Sequence, residues 1–259
     1  MPGVLDGAAP PALSVAGVAH HYGRTVALDD VTLAVRPGTF TVLLGVNGAG
    51  KTTLFSLITR LFATQQGAIS ICGASLSETP SQALRSLGVV FQSRALDANL
   101  TVAQNMIYQG ALYGIGRRTS LARGLALLDQ IGLADRIDHK VGRLSGGQQR
   151  RVEIARALLH EPRLILCDEA TVGLDVKSRT DIVATLHRLA AETGIGVLWT
   201  THLIDEIEPD DPVYLLHKGR VCAHGSAAEI AQAHGAGGSL SDAFLALTRA
   251  DQAGATGAA

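Results

Sequence analysis

Cysteine is scarce in this chain, and neither sign of charge is in surplus. Cys72, Cys167 and Cys222 lie far apart among 259 residues, without CxxC spacing or a neighbouring histidine at ligand distance. An odd count in such a pattern favours reduced thiols over a disulfide framework or a metal site. The formal net charge of -1 argues against a broad basic face for nucleic acid, although it leaves room for a small local patch.

Long apolar runs are also missing. No window reaches the roughly 18 to 20 consecutive apolar residues that a membrane-spanning helix needs. The first residues, MPGVLDGAAPPALSV, have neither the basic start nor the apolar stretch of a signal peptide. We therefore expect reduced thiols in the cytosol, and any role at a membrane would depend on a partner.

The remaining sequence has the composition of a globular protein, with 47% hydrophobic and 17% charged residues. Short strand-like runs alternate with helical spacing, which indicates an α/β fold. Within one folded unit, residues 12–250, the strand signals fade over about 93–160, and this predicts an inserted helical subdomain. Residues 1–11 are predicted to be flexible, and the Ala/Gly-rich residues 251–259 to be disordered.

A glycine-rich segment links a predicted buried strand to a predicted helix. The segment GVNGAGKT, residues 45–52, fits the pattern GxxxxGK followed by Ser or Thr, and we call it the phosphate loop. Glycines allow backbone N–H groups to turn towards an anion, and the helix N-terminus adds a favourable dipole. Lys51 would contact the β- and γ-phosphates, and the Thr52 hydroxyl would bind Mg²⁺. The alternative is a strand-to-helix turn with an incidental lysine.

Two later apolar strands are predicted to end in polar residues at the same edge of the sheet. LILC is followed by Asp168 and Glu169, and GVLWTT by His202. Ligands bind at the carboxyl ends of parallel strands, so we expect Asp168 to hold a metal and Glu169 to act as general base. His202 is predicted to contact the γ-phosphate. Taken singly, the acids could form a solvated turn, and the histidine could be structural.

A second candidate anion site precedes an amphipathic helix. Residues 144–148 read LSGGQ, in which Ser145 is of a type that caps helices and two glycines expose backbone N–H groups. The alternative is simply a capped helix. A protein with one phosphate loop does not obviously need this second site.

In combination these motifs resemble the nucleotide-binding subunit of an ATP-binding cassette (ABC) transporter, over roughly residues 13–223. The resemblance implies a P-loop NTPase (RecA-like) core with an antiparallel β subdomain and an inserted helical subdomain. The motifs follow the family order: the adenine-stacking aromatic Tyr22, the phosphate loop, Gln92 after LGVVF, LSGGQ, LILCDE, the loop 173–175 and His202.

The resemblance also implies an ATPase with ATP and Mg²⁺ as its cofactors. It assigns catalysis to Glu169, His202 and Gln92, and the magnesium site to Thr52, Gln92 and Asp168. The nucleotide would be held by Tyr22, Gly45, Val46, Asn47, Gly48, Ala49, Gly50, Lys51, Thr52 and Thr53. A second cassette, bound head to tail, would complete each site with its Ser145, Gly146, Gly147, Gln148 and Asp175.

The partners implied are a second cassette and a separate transmembrane permease. We expect a homodimer, with a heterodimer left open, located peripherally on the cytoplasmic face of the inner (plasma) membrane. Gln92 would sense the permease, and an apolar groove with Leu96, Met106, Tyr108 and Tyr113 would dock it. The same apolar stripe could equally be ordinary subdomain core. No nucleic-acid partner is expected.

Two positions depart from the family pattern. Val46 stands where the phosphate loop usually has proline, and Ala170 replaces the proline after Glu169. The second change removes a constraint on φ and puts the rate of hydrolysis in question more than the reaction itself.

The segments RRVEIARALLHEP and GVLWTTHLIDEIEPDD also resemble a subgroup, similar to exporters, associated with pyrroloquinoline-quinone-dependent alcohol oxidation. We expect an ATPase that couples head-to-tail dimerisation on ATP to movement of the separate transmembrane subunit, in export. The competing functions are a soluble ABC-type ATPase acting on nucleic acid or ribosomes, and a regulatory subunit with little turnover.

Overall fold

A computed structural model describes residues 10–235 and 238–254 as an α/β protein with two sheets. Residues 1–9 of the predicted flexible N-terminus lie outside the described residues. The strands are β1 Leu13–Tyr22, β2 Thr25–Val35, β3 Phe40–Leu44, β4 Gln66–Ile71, β5 Ala74–Ser75, β6 Leu87–Val90, β7 Leu164–Asp168, β8 Gly196–Thr201, β9 Pro212–His217 and β10 Arg220–Ser226. The helices are α1 Lys51–Ile58, α2 Pro80–Arg85, α3 Val102–Leu112, α4 Arg117–Gln130, α5 Gly146–Leu158, α6 Val176–Thr193, α7 Ala227–His234 and α8 Leu240–Gly254, with 3₁₀ turns at Ala134–Arg136, Val141–Arg143 and Ile204–Glu206.

The larger sheet carries the predicted site. Its order is β10-β9-β3-β8-β7-β6, in which β9, β3, β8, β7 and β6 run parallel and β10 is antiparallel to β9. Every residue of β3, β7 and β8 is buried. Strands covered on both faces read as continuous apolar runs, which explains the sequences FTVLL, LILCD and GVLWTT. Their carboxyl ends therefore meet at one edge.

The smaller sheet is the antiparallel β subdomain that the family resemblance implied. Its order is β2-β1-β4-β5, with every pairing antiparallel. An apolar core joins its inner face to α1 and to the larger sheet through fully buried side chains such as Leu13, Leu28 and Leu54. This core holds the β1–β2 hairpin beside the phosphate loop.

Helices α3, α4 and α5 form the helical insert around a core of their own. Val102, Met106 and Leu128 are fully buried in that core, and Leu96 packs against it. Of the four residues named for the docking groove, Met106 therefore belongs to the subdomain core, and Leu96 is partly buried against it. The side chains of Tyr108 and Tyr113 remain 62% and 38% exposed.

Two element ends depart from the apolar pattern of the sequence. Helical spacing of apolar residues continues over TTLFSLITRLF, residues 52–62, but α1 ends at Ile58, because Arg60 adopts a φ of 59° that a helix cannot continue through. Strand β6 ends at Val90, so Gln92 follows it in a loop.

The C-terminal prediction is wrong where α8 extends to Gly254. Residues 251–254, predicted to be disordered, are helical, because DQAG continues a helix rich in alanine and leucine, which favour helix. Residues 255–259 lie outside the described residues. Within 10–235 and 238–254, no helix has the length and apolar character that crossing a bilayer requires.

Candidate active site

The phosphate loop connects the buried strand β3 to helix α1. Gly48 and Gly50 have φ values of 82° and 112°, which L-residues with a side chain rarely adopt. A Cβ on Gly50 would also lie 2.8 Å from the Ala27 carbonyl oxygen, and one on Gly45 would lie 2.7 Å from that of Leu216. The glycines therefore allow the loop to close tightly beside the β1–β2 hairpin.

Lys51 is held inside the phosphate loop. Its side chain is 4% exposed, and its Nζ donates to the carbonyl oxygens of Gly45 at 2.7 Å and Val46 at 3.2 Å. The same Nζ lies 3.2 Å from Oε1 of Glu169. A buried ammonium requires such partners, and these place the charge between the loop and the end of β7.

Three predicted residues converge on the carboxylate of Glu169. Besides Lys51, Nε2 of Gln92 donates to Oε2 at 3.2 Å, and Nδ1 of His202 lies 3.3 Å from Oε1. These groups come from the loop after β6, the start of α1 and the end of β8. Because β6, β7, β8 and β3 end at one edge of the sheet, residues far apart in sequence meet there.

Asp168 ends β7, directly before Glu169. Burial raises the pKa of its carboxyl group; the hydrogen bond from Thr200 and the charge of Lys51 act in the opposite direction, while the charge of Glu169 adds to the rise. Oγ1 of Thr200 donates to Asp168 Oδ1 at 2.6 Å. Thr200 also accepts the Glu169 N–H at its carbonyl and hydroxyl oxygens, both at 3.1 Å.

Sequence reasoning missed Thr200, although its position carries a signal. Thr200 pairs with Asp168 in the parallel ladder between β7 and β8. A hydroxyl near the end of an otherwise apolar strand, beside an acidic strand end, is the pattern to look for. Its hydrogen bonds fix both the Asp168 carboxylate and the backbone of Glu169, which has a φ of 44°.

A cleft of about 480 Å³ opens in front of these residues. Tyr22, predicted to stack on adenine, lines one side and is 46% exposed. The hairpin residues Thr25 to Ala27, which were not predicted, extend that side. The phosphate-loop side and the opposite wall are lined by Asn47, Gly48, Gly50, Lys51, Thr52, Thr53, Gln92 and Glu169.

The oxygen donors at the cleft fit a magnesium ion. Mg²⁺ prefers oxygen ligands and keeps several waters, so it uses few protein groups. Thr52 and Gln92 line the cleft, and Asp168 precedes the lining residue Glu169. Among residues 10–235 and 238–254, no group of three or more His, Cys, Asp or Glu side chains forms a metal cluster.

The LSGGQ segment lies apart from this cleft. Ser145 caps α5 in a reciprocal arrangement: its Oγ accepts the Gln148 N–H at 3.3 Å, and Oε1 of Gln148 accepts the Ser145 N–H at 3.0 Å. A Cβ on Gly146 would lie 2.8 Å from Nη2 of Arg94. No residue from Ser145 to Gln148 is among those lining the cleft.

The same segment packs against the start of α6. A Cβ on Gly147 would lie 2.4 Å from Oγ of Ser178, so only glycine allows this approach. Asp175 caps α6 by accepting the N–H of Ser178 at 2.9 Å and its hydroxyl at 2.7 Å. The Ser178 N–H bond is the main reason that the pKa of Asp175 is lowered. The predicted residues thus form two sets, one at the cleft and one around Ser145 and Asp175.

The two departures from the family pattern have different surroundings. Val46 is 37% exposed at the loop, whereas Ala170 is fully buried against the core beneath the larger sheet. Burial of Ala170 and a hydrogen bond from Thr171 to Glu206 therefore constrain the turn where a proline is missing.

Comparison with known proteins identifies the class. A family model described as ABC transporter matches residues 28–172, and the chain belongs to this family. It is 33% identical over 210 residues to linearmycin resistance ATP-binding protein LnrL of Bacillus subtilis, covering 81% of this chain and 67% of LnrL. It is 37% identical over 225 residues to doxorubicin resistance ATP-binding protein DrrA of Mycobacterium tuberculosis, covering 85% and 67%.

A solved structure supports the same assignment. The ATP-binding subunit of an ABC transporter superimposes with a TM-score of 0.80 at 30% identity, covering 92% of this chain and 99% of that one. The chain is therefore an ATP-binding subunit of the ABC transporter family with a P-loop NTPase fold, and an ATPase. The predicted kinship with the subgroup linked to pyrroloquinoline-quinone-dependent alcohol oxidation is not confirmed.

Proposed function

We propose that this chain hydrolyses ATP with Mg²⁺ as cofactor and uses the energy to drive a separate transmembrane permease, in export. The observation that carries the proposal is the convergence of Lys51, Gln92 and His202 on Glu169, at the edge of a cleft lined by the phosphate loop. A phosphate-binding loop, a base and a neutralising cation are the parts that phosphoryl transfer to water requires.

Each of these side chains has a distinct task. Lys51 exchanges the loop carbonyls for phosphate oxygens, Glu169 takes a proton from the attacking water, and Gln92 orients that water. His202 contacts the γ-phosphate, and Tyr22 stacks on adenine. Thr52, Gln92 and Asp168 would hold Mg²⁺, which would supply positive charge next to the phosphates.

The second anion site argues for a dimer. Ser145 is exposed and Gly146 partly exposed at the capped N-terminus of α5, away from the cleft of their own chain, whereas Gly147 is buried against Ser178 beside Asp175. A head-to-tail partner would bring the same segment onto the γ-phosphate of the first chain. Two copies of this chain satisfy the requirement, so we propose a homodimer.

An exposed apolar surface argues for a membrane partner. Tyr108, Leu112 and Tyr113 of the helical insert are 62%, 64% and 38% exposed, and Leu112 and Tyr113 line a cleft of about 570 Å³ together with residues of α2 and α4. Exposed large apolar side chains are a common sign of an interaction site. We propose that a permease segment docks here, which would place the chain peripherally on the cytoplasmic face of the inner membrane.

The names of several relatives support export. LnrL and DrrA are resistance proteins, and a relative from Mesorhizobium japonicum, 35% identical over 232 residues, is a Nod factor export ATP-binding protein. Importers are also similar: sulfate/thiosulfate import ATP-binding protein CysA 2 of Chromobacterium violaceum is 39% identical over 223 residues. Transport assays in oriented vesicles with the co-expressed permease test the direction; uptake into the cytoplasmic side would overturn export.

A pair of variants tests the chemistry. Glu169→Gln retains the size of the side chain and removes the base, so it should bind ATP, accumulate an ATP-loaded dimer and release no phosphate. Lys51→Ala, the matched control, should lose ATP binding itself. Light scattering measures dimer formation and a phosphate assay measures hydrolysis; undiminished phosphate release by Glu169→Gln would contradict its assignment as the base.

Affinity purification of the native complex should recover an integral membrane protein; recovery of ribosomes or DNA alone would favour the non-transport alternative.

A further inference from the structure

Glu206 is a buried carboxylate that the mechanism above does not use. It ends the 3₁₀ turn Ile204–Glu206, which closely follows His202, and its side chain is only 4% exposed. Burying a carboxylate is costly unless donors surround it. Glu206 is absent from the residues lining the nucleotide cleft, so it has no contact with a nucleotide there.

Three donors satisfy this carboxylate. Oε2 accepts from Nε1 of Trp199 at 3.0 Å and from Oγ1 of Thr201 at 2.6 Å, and Oε1 accepts from Oγ1 of Thr171. All three donors are buried. An ionised carboxylate only accepts hydrogen bonds, and each of these three groups donates to Glu206.

The donors come from the two segments that carry the proposed base and histidine. Thr201 directly precedes His202 at the end of β8, and Thr171 lies two positions after Glu169. Glu206 therefore links the turn after β7 to the loop after β8. The turn after β7 contains Glu169 with its φ of 44° and carries Ala170 in place of the proline usual in the family.

We propose that Glu206 is a positioning residue that holds the turn of Glu169 and the loop of His202 in a fixed relation. Its carboxylate keeps Nδ1 of His202 close to Oε1 of Glu169, at the observed 3.3 Å. The bond from Thr171 restrains the turn in which proline is replaced by Ala170. This inference rests on the proposed roles of Glu169 and His202.

Thr171→Val removes only the hydrogen bond from Thr171 to Glu206, because valine has nearly the shape of threonine and lacks the hydroxyl. Thr171→Ser keeps the hydroxyl and serves as the matched control. Small displacements of reacting groups lower rates strongly, so we expect kcat to fall about tenfold or more in Thr171→Val, with KM for ATP within about twofold of wild type. Thr171→Ser should recover most of the rate.

A second substitution tests the carboxylate itself. Glu206→Ala leaves three buried donors without an acceptor and is expected to unfold the protein, so Glu206→Gln is used. Glutamine keeps one oxygen for Trp199 and Thr201 but presents an amide N–H to Thr171. The Thr171 hydroxyl can accept that N–H, so a neutral hydrogen bond replaces the charge-assisted one. The kcat should therefore fall in Glu206→Gln, but less than in Thr171→Val, because the two changes respectively weaken and remove one interaction.

The outcomes separate this proposal from the one on which it rests. Glu169→Gln and His202→Ala are assayed in parallel, and full turnover by them would refute the catalytic roles. If they are inactive while Thr171→Val keeps a kcat within twofold of wild type, the positioning role alone is refuted. If the melting temperature and the ATP affinity fall together with kcat in both Thr171→Val and Thr171→Ser, the network has only a structural role. That result would also overturn the proposal.

Discussion

Replacing Glu153 with alanine would break a buried ion pair that supports the loop of Gln92. Arg150 and Glu153 of α5 are 5% and 3% exposed, with 2.7 Å between Nη1 and Oε2. Glu153 Oε1 also accepts the Ala95 N–H at 2.6 Å. Arg150 donates in turn to the carbonyl oxygens of Phe91 at 2.7 Å and Gln92 at 2.8 Å. The pair thus ties the helix that follows LSGGQ to the main chain of residues 91–95.

The expected cost follows from these contacts. Glu153 accepts two hydrogen bonds, and its loss leaves the Arg150 guanidinium without its counter-charge in a buried position. Removing one partner of a buried pair costs about 3–5 kcal/mol of the free energy of unfolding. For a chain of this size each kcal/mol lowers the melting temperature by roughly 2–4 °C, so we expect a fall of about 6–20 °C.

Thermal unfolding followed by circular dichroism measures this shift, and Arg220→Ala is the control. Arg220 pairs with Asp29 at the surface, where the two side chains are 70% and 38% exposed, and such pairs contribute about 0–1 kcal/mol. ATP turnover of folded Glu153→Ala should also fall, because the main chain at Gln92 loses its support. A melting temperature lowered no more than in the control would refute the reasoning.

Two further predictions concern a glycine contact and a histidine. In Gly147→Ala the new Cβ would lie 2.4 Å from Oγ of Ser178, so overpacking should cost about 1–3 kcal/mol of the free energy of unfolding and lower turnover. In Gly116→Ala no atom lies near the new Cβ, so only the N-cap of α4 is weakened and turnover should stay at the wild-type level. Equal effects would contradict this. Burial lowers the pKa of His187, but the hydrogen bond and charge of Asp211 outweigh it, so the pKa is raised. Both ring nitrogens face acceptors, at 3.0 and 2.8 Å. Asp211→Asn should therefore cost most stability below about pH 6.5, with the difference fading as pH rises through the raised pKa; a difference that grows with pH would contradict it.

The cluster around Glu169 was predictable because its residues lie at the ends of apolar strands or directly after them. Once the strands that carry or precede Asp168, Glu169 and His202 are recognised as parallel and buried, the three residues can be assigned to the same edge of the sheet. The phosphate loop likewise needs only local spacing between a strand and a helix.

The supporting polar network was not predictable in the same way. Glu206, Glu153 and Arg150 look like ordinary surface residues in sequence, since charged side chains are seldom buried. Their roles depend on donors and acceptors contributed by distant segments, such as the carbonyl of Phe91. The end of α1 could not be predicted either, because the left-handed residue that follows it, Arg60, is not a glycine.

Helix α3 shows why surface exposure is hard to predict from sequence. Tyr108 and Met106 both fit an apolar stripe in sequence, but only the packing of α3 against α4 decides that Met106 is core and Tyr108 is exposed. Periodicity assigns a face to a residue and leaves its depth undetermined.

A mixing experiment tests the central claim that each site is shared by two chains. Lys51→Ala removes the phosphate-loop lysine, and Ser145→Arg blocks the LSGGQ segment; each protein alone should be inactive. If the segments act across a head-to-tail dimer, about half of the dimers in an equal mixture contain one intact site of two, and ATP turnover should return to as much as about a quarter of wild type. A mixture as inactive as its components would contradict the account.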